Sequence, residues 1–186
     1  MKVDLNGDFE VAAKADEAFA FITTPESFAP VLPYFKELKD VSGRRFTVVL
    51  EIGVPQIRGT VEVNAELVET RAPEHALYNV KGRHALGMMD SIMTFSVAPT
   101  QSGSAVTWKT ESIVSGTLAS LAHGILLPLA KRQINSLVKS VRIALGTAEV
   151  TPPPKPANIL RRSATSLRGL FGRTEDATAS TGEKQP

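Results

Sequence analysis

The stretch Ala105-Val106-Thr107-Trp108-Lys109-Thr110-Glu111-Ser112-Ile113-Val114-Ser115-Gly116-Thr117-Leu118-Ala119-Ser120-Leu121 contains the change of period on which the fold turns. Val106, Trp108, Thr110, Ser112 and Val114 fall on one side of an extended chain, the period-two signature of a half-buried strand. After Gly116 the period becomes helical. Leu118, Leu121, Ala122, Ile125, Leu129, Leu137, Val138, Val141 and Leu145 then form one stripe, which predicts a long helix over 118–145 laid across a sheet. Pro128 falls inside that helix, removes one backbone hydrogen bond and predicts a kink near Gly124 to Leu127.

Upstream of this junction the alternation repeats. Residues 88–98 put Met89, Met93, Phe95 and Val97 together, and the turn Thr100-Gln101-Ser102-Gly103-Ser104 joins them to the strand just described. Residues 75–83 read as a weaker strand with Ala76, Tyr78 and Val80 on its apolar side. Val61, Val63, Ala65 and Leu67 oppose Thr60, Glu62, Asn64 and Glu66, and Phe46, Val48, Leu50 and Ile52 share a face. The chain opens with a strand over 4–11, followed by a short helix at Asp16–Ile22 and a second one begun by Thr24-Pro25. At least six strands in an antiparallel meander, two small helices and a long closing helix make an α+β grip, a curved sheet wrapped around its last helix.

A grip leaves a concave, mostly apolar gap between sheet and helix, the usual form of a small-molecule site. The residues placed to line it are Phe28, Leu32, Val48, Leu50, Val61, Val63, Met89, Met93, Phe95, Trp108, Thr110, Ile125 and Leu129. Plain core packing accounts for each of them as well. Met88, Met89 and Met93 concentrate pliable side chains, and Trp108, the single tryptophan, offers a flat surface to a ring.

Composition restricts the chemistry. The 186 residues are 42% hydrophobic and suffice for one core plus an appendage. The absence of cysteine excludes disulfides, thiolate metal sites and thiol nucleophiles. His75, His84 and His123 have no metal-pair spacing, and neither a Ser/His/Asp order nor a glycine-rich phosphate loop is present. Glu51 and Asp90 lie in the outward phase of their strands. No metal, cofactor or catalytic residue is expected. The N-terminus lacks a leader-like apolar run, and no segment offers roughly 20 uninterrupted apolar residues, so a cytoplasmic protein is expected.

The last fifth of the chain differs in kind. Thr151-Pro152-Pro153-Pro154-Lys155-Pro156 predicts an extended spacer, which sets a domain at 1–146, a linker at 147–157, a helix at 158–173 and a disordered tail at 174–186. Lys155, Arg161, Arg162, Arg168, Arg173 and Lys184 against Glu175, Asp176 and Glu183 give residues 151–186 a charge of +3, leaving −1 of the total +2 for the rest. The basic character belongs to the tail, which argues against a nucleic-acid groove on the domain and for an anionic partner of the tail. Around a helix begun at Ile159, the residues Ile159, Leu160, Ala164, Leu167, Leu170 and Phe171 span about 0° to 140°, and Arg161, Arg162, Arg168 and Arg173 about 180° to 320°. Such a helix suits an anionic membrane surface, and equally the groove of a protein partner.

Gly7-Asp8-Phe9-Glu10-Val11, Glu17-Ala18-Phe19, the run Thr24-Pro25-Glu26-Ser27-Phe28-Ala29-Pro30-Val31-Leu32-Pro33, and Gly103–Trp108 leading into Ser115–Leu121 resemble the carbon monoxide dehydrogenase G-subunit family, of the START-like helix-grip superfamily. Thr24 and Tyr34 stand where the family pattern usually has Asp and Gly. The resemblance covers roughly residues 1–146. It implies a noncatalytic accessory protein that recruits a molybdenum hydroxylase to the inner face of the cytoplasmic membrane, with an apolar cavity for a quinone or lipid. Two other readings stand beside it. One is an enzyme of polyketide cyclase or dehydratase type using His84, Thr110 or Ser112; the other is a chaperone-like adaptor that seats its tail helix on a protein.

Overall fold

A computed structural model describes residues 1–55 and 57–146, with the side chains of Ala122 and His123 left aside. The linker, the basic amphipathic helix and the C-terminal tail expected from the sequence lie outside the described residues. So do the membrane-contact residues Ile159, Leu160, Arg161, Arg162, Leu167, Arg168, Leu170, Phe171 and Arg173.

Period-two alternation becomes seven strands: β1 Lys2–Val11, β2 Phe35–Ser42, β3 Arg45–Val54, β4 Ile57–Arg71, β5 His75–His84, β6 Gly87–Thr100 and β7 Gly103–Val114. They form one sheet in the order β1-β7-β6-β5-β4-β3-β2, antiparallel throughout. The first strand therefore closes against the last. Between β1 and β2 come α1 Ala15–Thr23, α2 Pro25–Phe28 and a single 3-10 turn at Ala29–Val31. The inward phase expected for β7 holds, with Val106, Trp108, Thr110, Ser112 and Val114 all buried.

Strand β2 is absent from the sequence-based expectation. Its residues show no clean alternation, because the register with β3 shifts between Phe35 and Glu37 and again between Lys39 and Ser42. Tyr34 at φ 64° and Asp40 at φ 52° bend the chain at its start and within it. The strand lies at the sheet edge and carries Lys36, Glu37, Lys39 and Asp40, charges that discourage pairing with another chain.

The closing helix is interrupted rather than only kinked. Helix α3 covers Thr117–Leu121, a π turn follows at Ala122–Leu126, and α4 runs from Leu127 to Ala144. Pro128 lies in the first turn of α4. Its ring has no N–H to donate and would collide with the carbonyl four residues earlier, and the wider turn before it relieves both problems. The entry to α3 depends on a close glycine contact. Gly116 has φ 71°, and a Cβ there would lie 2.8 Å from both Gly87 Cα and the Leu86 carbonyl oxygen. That approach lets Leu118 N–H donate to Leu86 O at 3.1 Å, so the β5–β6 turn holds the first helical turn.

The core divides into two clusters. The larger gathers Phe9, Val11, Phe19, Ile22, Val97, Val106, Trp108 and Val141, and the smaller Ile57, Val114 and Leu118. We expect Gly116→Ala to destabilise the fold by about 2–4 kcal/mol, since it combines left-handed strain with a backbone clash. The shift of the urea midpoint measures it; Ser115→Ala, at a neighbouring exposed position, is the control.

Candidate functional site

Helix α4 spans the concave face of the sheet without filling it. Of its residues only Val141 is fully buried, while Ile134, Leu137 and Val138 are half-buried and face inward. Beneath them lies a cavity of about 200 Å³. Ile22 of α1, Phe28 of α2 and Leu32 contribute to its wall. Phe46 and Val48 of β3, Val63 and Ala65 of β4, and Tyr78 and Val80 of β5 supply one half of its floor. Met93 and Phe95 of β6, Trp108 and Thr110 of β7, and Phe9 of β1 supply the other.

The aromatic side chains are fixed by one another. Phe46 and Phe95 each present to Tyr78 in edge-to-face contact, with centroids 6.4 Å and 6.3 Å away, and Phe28 packs the same way on Phe95 at 6.4 Å. The Trp108 ring packs against the chain at Gly7, where a Cβ would come within 2.9 Å of it. Any larger residue at position 7 would force the indole to shift.

No acidic or basic side chain lines this space, and the hydroxyl-bearing residues in its wall are Tyr78 and Thr110. Thr110 Oγ1 is 3.4 Å from Ser112 Oγ, which in turn accepts a 2.7 Å hydrogen bond from Ser91 Oγ, so three hydroxyls form a buried chain leading to the cavity. Tyr78 is 5% exposed, and burial alone pushes its phenol up to about 12. It stays a neutral hydrogen-bond donor across the physiological range.

Of the residues placed in the gap from sequence, Phe28, Leu32, Val48, Val63, Met93, Phe95, Trp108 and Thr110 line the cavity. Leu50 and Val61 do not; they pair across β3 and β4, further along the sheet. Met89, Ile125 and Leu129 instead pack in the smaller cluster around Ile57, Val114 and Leu118. Helical phase selects the inward face but not the height along it, and the cavity sits two turns later, at Ile134 to Val141. Alternation marks Tyr78 only as an apolar strand residue. The signal that could have singled it out is a hydroxyl-bearing ring between Ala76 and Val80 on an inward face.

The candidate residues for catalysis are scattered. His84 Nδ1 accepts from Leu86 N–H at 3.2 Å, so its Nε2 carries the proton and donates to Arg58 O at 3.2 Å, outside the cavity. His75 Nδ1 is 3.5 Å from Ser96 Oγ on the exposed surface, and the side chain of His123 lies outside the described residues. Glu51 is exposed and paired with Lys36 at 2.8 Å, which holds its carboxyl below the usual range, and Asp90 is exposed. Among the described residues no group of His, Asp and Glu could hold a metal ion, and no helix is long and apolar enough to cross a membrane.

Residues 7–146 match the family model of the carbon monoxide dehydrogenase G-subunit, CoxG. Among solved structures, a conserved protein from Geobacillus kaustophilus is 19% identical with a TM-score of 0.71, the match covering 77% of this chain and 95% of that one. A protein from Chromobacterium violaceum is 14% identical with a TM-score of 0.63, over 76% and 96%. The di-domain ARO/CYC StfQ from the steffimycin biosynthetic pathway is 12% identical with a TM-score of 0.57, over 77% of this chain and 51% of its own. These likenesses establish the shared helix-grip fold. No curated protein matches the sequence.

Burial of Tyr78 has a consequence at high pH. Its folded value, about 12 against an ordinary 10.0, means that the folded state holds its proton more tightly than the unfolded state. The stabilisation is complete below pH 10 and is lost as pH rises toward 12, to a total of about 3 kcal/mol. Urea unfolding across that interval should show the loss in the wild type and a shallower one in Tyr78→Phe.

Proposed function

The chain belongs to the CoxG family of carbon monoxide dehydrogenase, and from that premise we propose a noncatalytic accessory protein that binds a hydrophobic ligand, a quinone or a lipid, under α4. In this reading residues 158–173 dock the protein on the anionic inner face of the cytoplasmic membrane, where it serves a molybdenum hydroxylase.

The observation that carries the ligand-binding part is the uncharged cavity. Apolar side chains around a space of about 200 Å³ lack packing partners on that side, and a hydrophobic ligand that fills it supplies those contacts. Catalysis finds less support: of His84, Thr110 and Ser112, only Thr110 lines the cavity, and no base stands beside it.

The volume also limits how a ligand enters. Engineered apolar cavities of about 150 Å³ hold a benzene ring, so this one accommodates a ring system or short acyl segment, with any long chain left outside. Attachment to a membrane through the tail would keep that chain in lipid while the ring is held by the domain. Five large apolar side chains and four arginines in the tail favour reversible docking, since their gain is offset by ordering the helix.

Organic-solvent extraction and mass spectrometry of protein purified without detergent should recover a hydrophobic molecule from the full chain and from a form ending at residue 150. A ligand lost with the tail would refute the cavity as its site. Val138→Phe, which places a ring in the void, should lower retention more than tenfold while leaving the melting temperature unchanged or higher. On vesicles with anionic lipid, sedimentation should be strong for the full chain and absent for the shortened one; equal binding would refute the membrane role of the tail.

A further inference from the structure

Tyr78 is one hydroxyl too many for a packing residue. It is 5% exposed, yet among the described residues its oxygen meets no hydrogen-bond partner, and burial is the sole influence on its ionisation. The one side-chain polar atom fully enclosed without a partner there is Thr100 Oγ1. The Tyr78 hydroxyl is thus not fully enclosed, and this residue lines the cavity. Edge-to-face contacts with Phe46 and Phe95 hold the ring in place. A buried phenol normally finds a partner, because leaving the donor unmade costs more than the bond gains.

Thr110 lies in the same row of the sheet. The register aligns Tyr78 with Met93 and Met93 with Thr110, so the two hydroxyl-bearing residues flank one methionine on the concave face. Ser91 donates to Ser112, and Ser112 stands 3.4 Å from Thr110. When that chain continues in the same sense, the Thr110 proton is free to point into the cavity. The row thus offers two neutral donors across a soft thioether, with no basic side chain to neutralise an anion.

We propose that Tyr78 and Thr110 form the polar seat of the cavity, taking the carbonyl oxygen of a neutral, ring-sized ligand and rejecting its ionised carboxylate counterpart. This rests on the cavity-binding reading above. An ionised group there would lose its water without gaining a counter-charge, whereas a carbonyl loses little and gains one or two hydrogen bonds.

Three bicyclic probes of similar size separate the possibilities: 2-acetylnaphthalene, 2-ethylnaphthalene and 2-naphthoate, measured by equilibrium dialysis against the ligand-stripped full chain at pH 8. The acetyl compound should bind about 2- to 10-fold more tightly than the ethyl compound, and the naphthoate most weakly. Tyr78→Phe and Thr110→Val should each reduce the acetyl preference, weakening the acetyl compound more than the ethyl compound. Tyr78→Phe should also keep or raise the melting temperature of the unliganded protein, since it deletes a donor with no partner. An acetyl preference that survives in both variants, or naphthoate binding as tight as the acetyl compound, would overturn the seat while leaving the cavity as a binding site. Failure of both neutral probes to bind the wild type would overturn the cavity reading itself, and the seat with it.

Discussion

The structure depends on how the C-terminal end of α4 is tied to the segment after β1. Ala13 N–H donates to Leu145 O at 3.1 Å, Ala12 N–H donates to Gly146 O at 3.3 Å, and Arg142 Nε donates to Glu10 O at 3.2 Å. The last carbonyls of a helix have no partners within it, so an end packed on protein needs donors from elsewhere. Gly146, at φ 78°, turns the chain so that its carbonyl meets them. Ser104, completely buried, donates to Ala13 O at 2.9 Å and fixes the same segment to β7. Val141, the one fully buried residue of α4, lies one turn from this clamp.

The cavity follows from that anchoring. With its C-terminal end held against the segment after β1, α4 presents Ile134, Leu137, Val138 and Val141 to the cavity. Bulky rings from the sheet reach into the gap without closing it, because Phe46, Tyr78, Phe95 and Phe28 meet edge to face rather than stacking. Outside the cavity wall, Gln133 Nε2 donates to the Tyr34 hydroxyl at 3.2 Å, a single exposed bond between α4 and the start of β2. The smaller cluster around Ile57, Val114 and Leu118 supports the other end of the helical segment.

Much of this is legible in the sequence for a definable reason. Where both faces of a strand have distinct environments, the alternation is strict, as in Val106, Trp108 and Thr110. These residues mark the inward face of β7 and with it part of the cavity floor. An edge strand with two register shifts leaves no such record, and Phe35 to Ser42 is invisible to periodicity. The break in the closing helix is foreshadowed by Pro128, although a proline signals an interruption without saying what form it takes. Periodicity likewise locates the face of α4 but not the level of the void. Ile125 and Leu129 share the stripe of Leu137 and Val138, and only the three-dimensional path of the sheet decides which of them meet protein and which meet space.

The two ends of α4 are held by different physics. Directional main-chain hydrogen bonds secure its C-terminal end, where displacement would separate the Leu145 and Gly146 carbonyls from the Ala13 and Ala12 N–H groups. Its N-terminal end, next to the π turn and Pro128, rests on nondirectional apolar contacts, which tolerate sliding at a lower cost. Between these two ends Ile134, Leu137 and Val138 pack against the larger core and line the cavity at once, so any displacement of α4 that reshapes the cavity also disturbs that core.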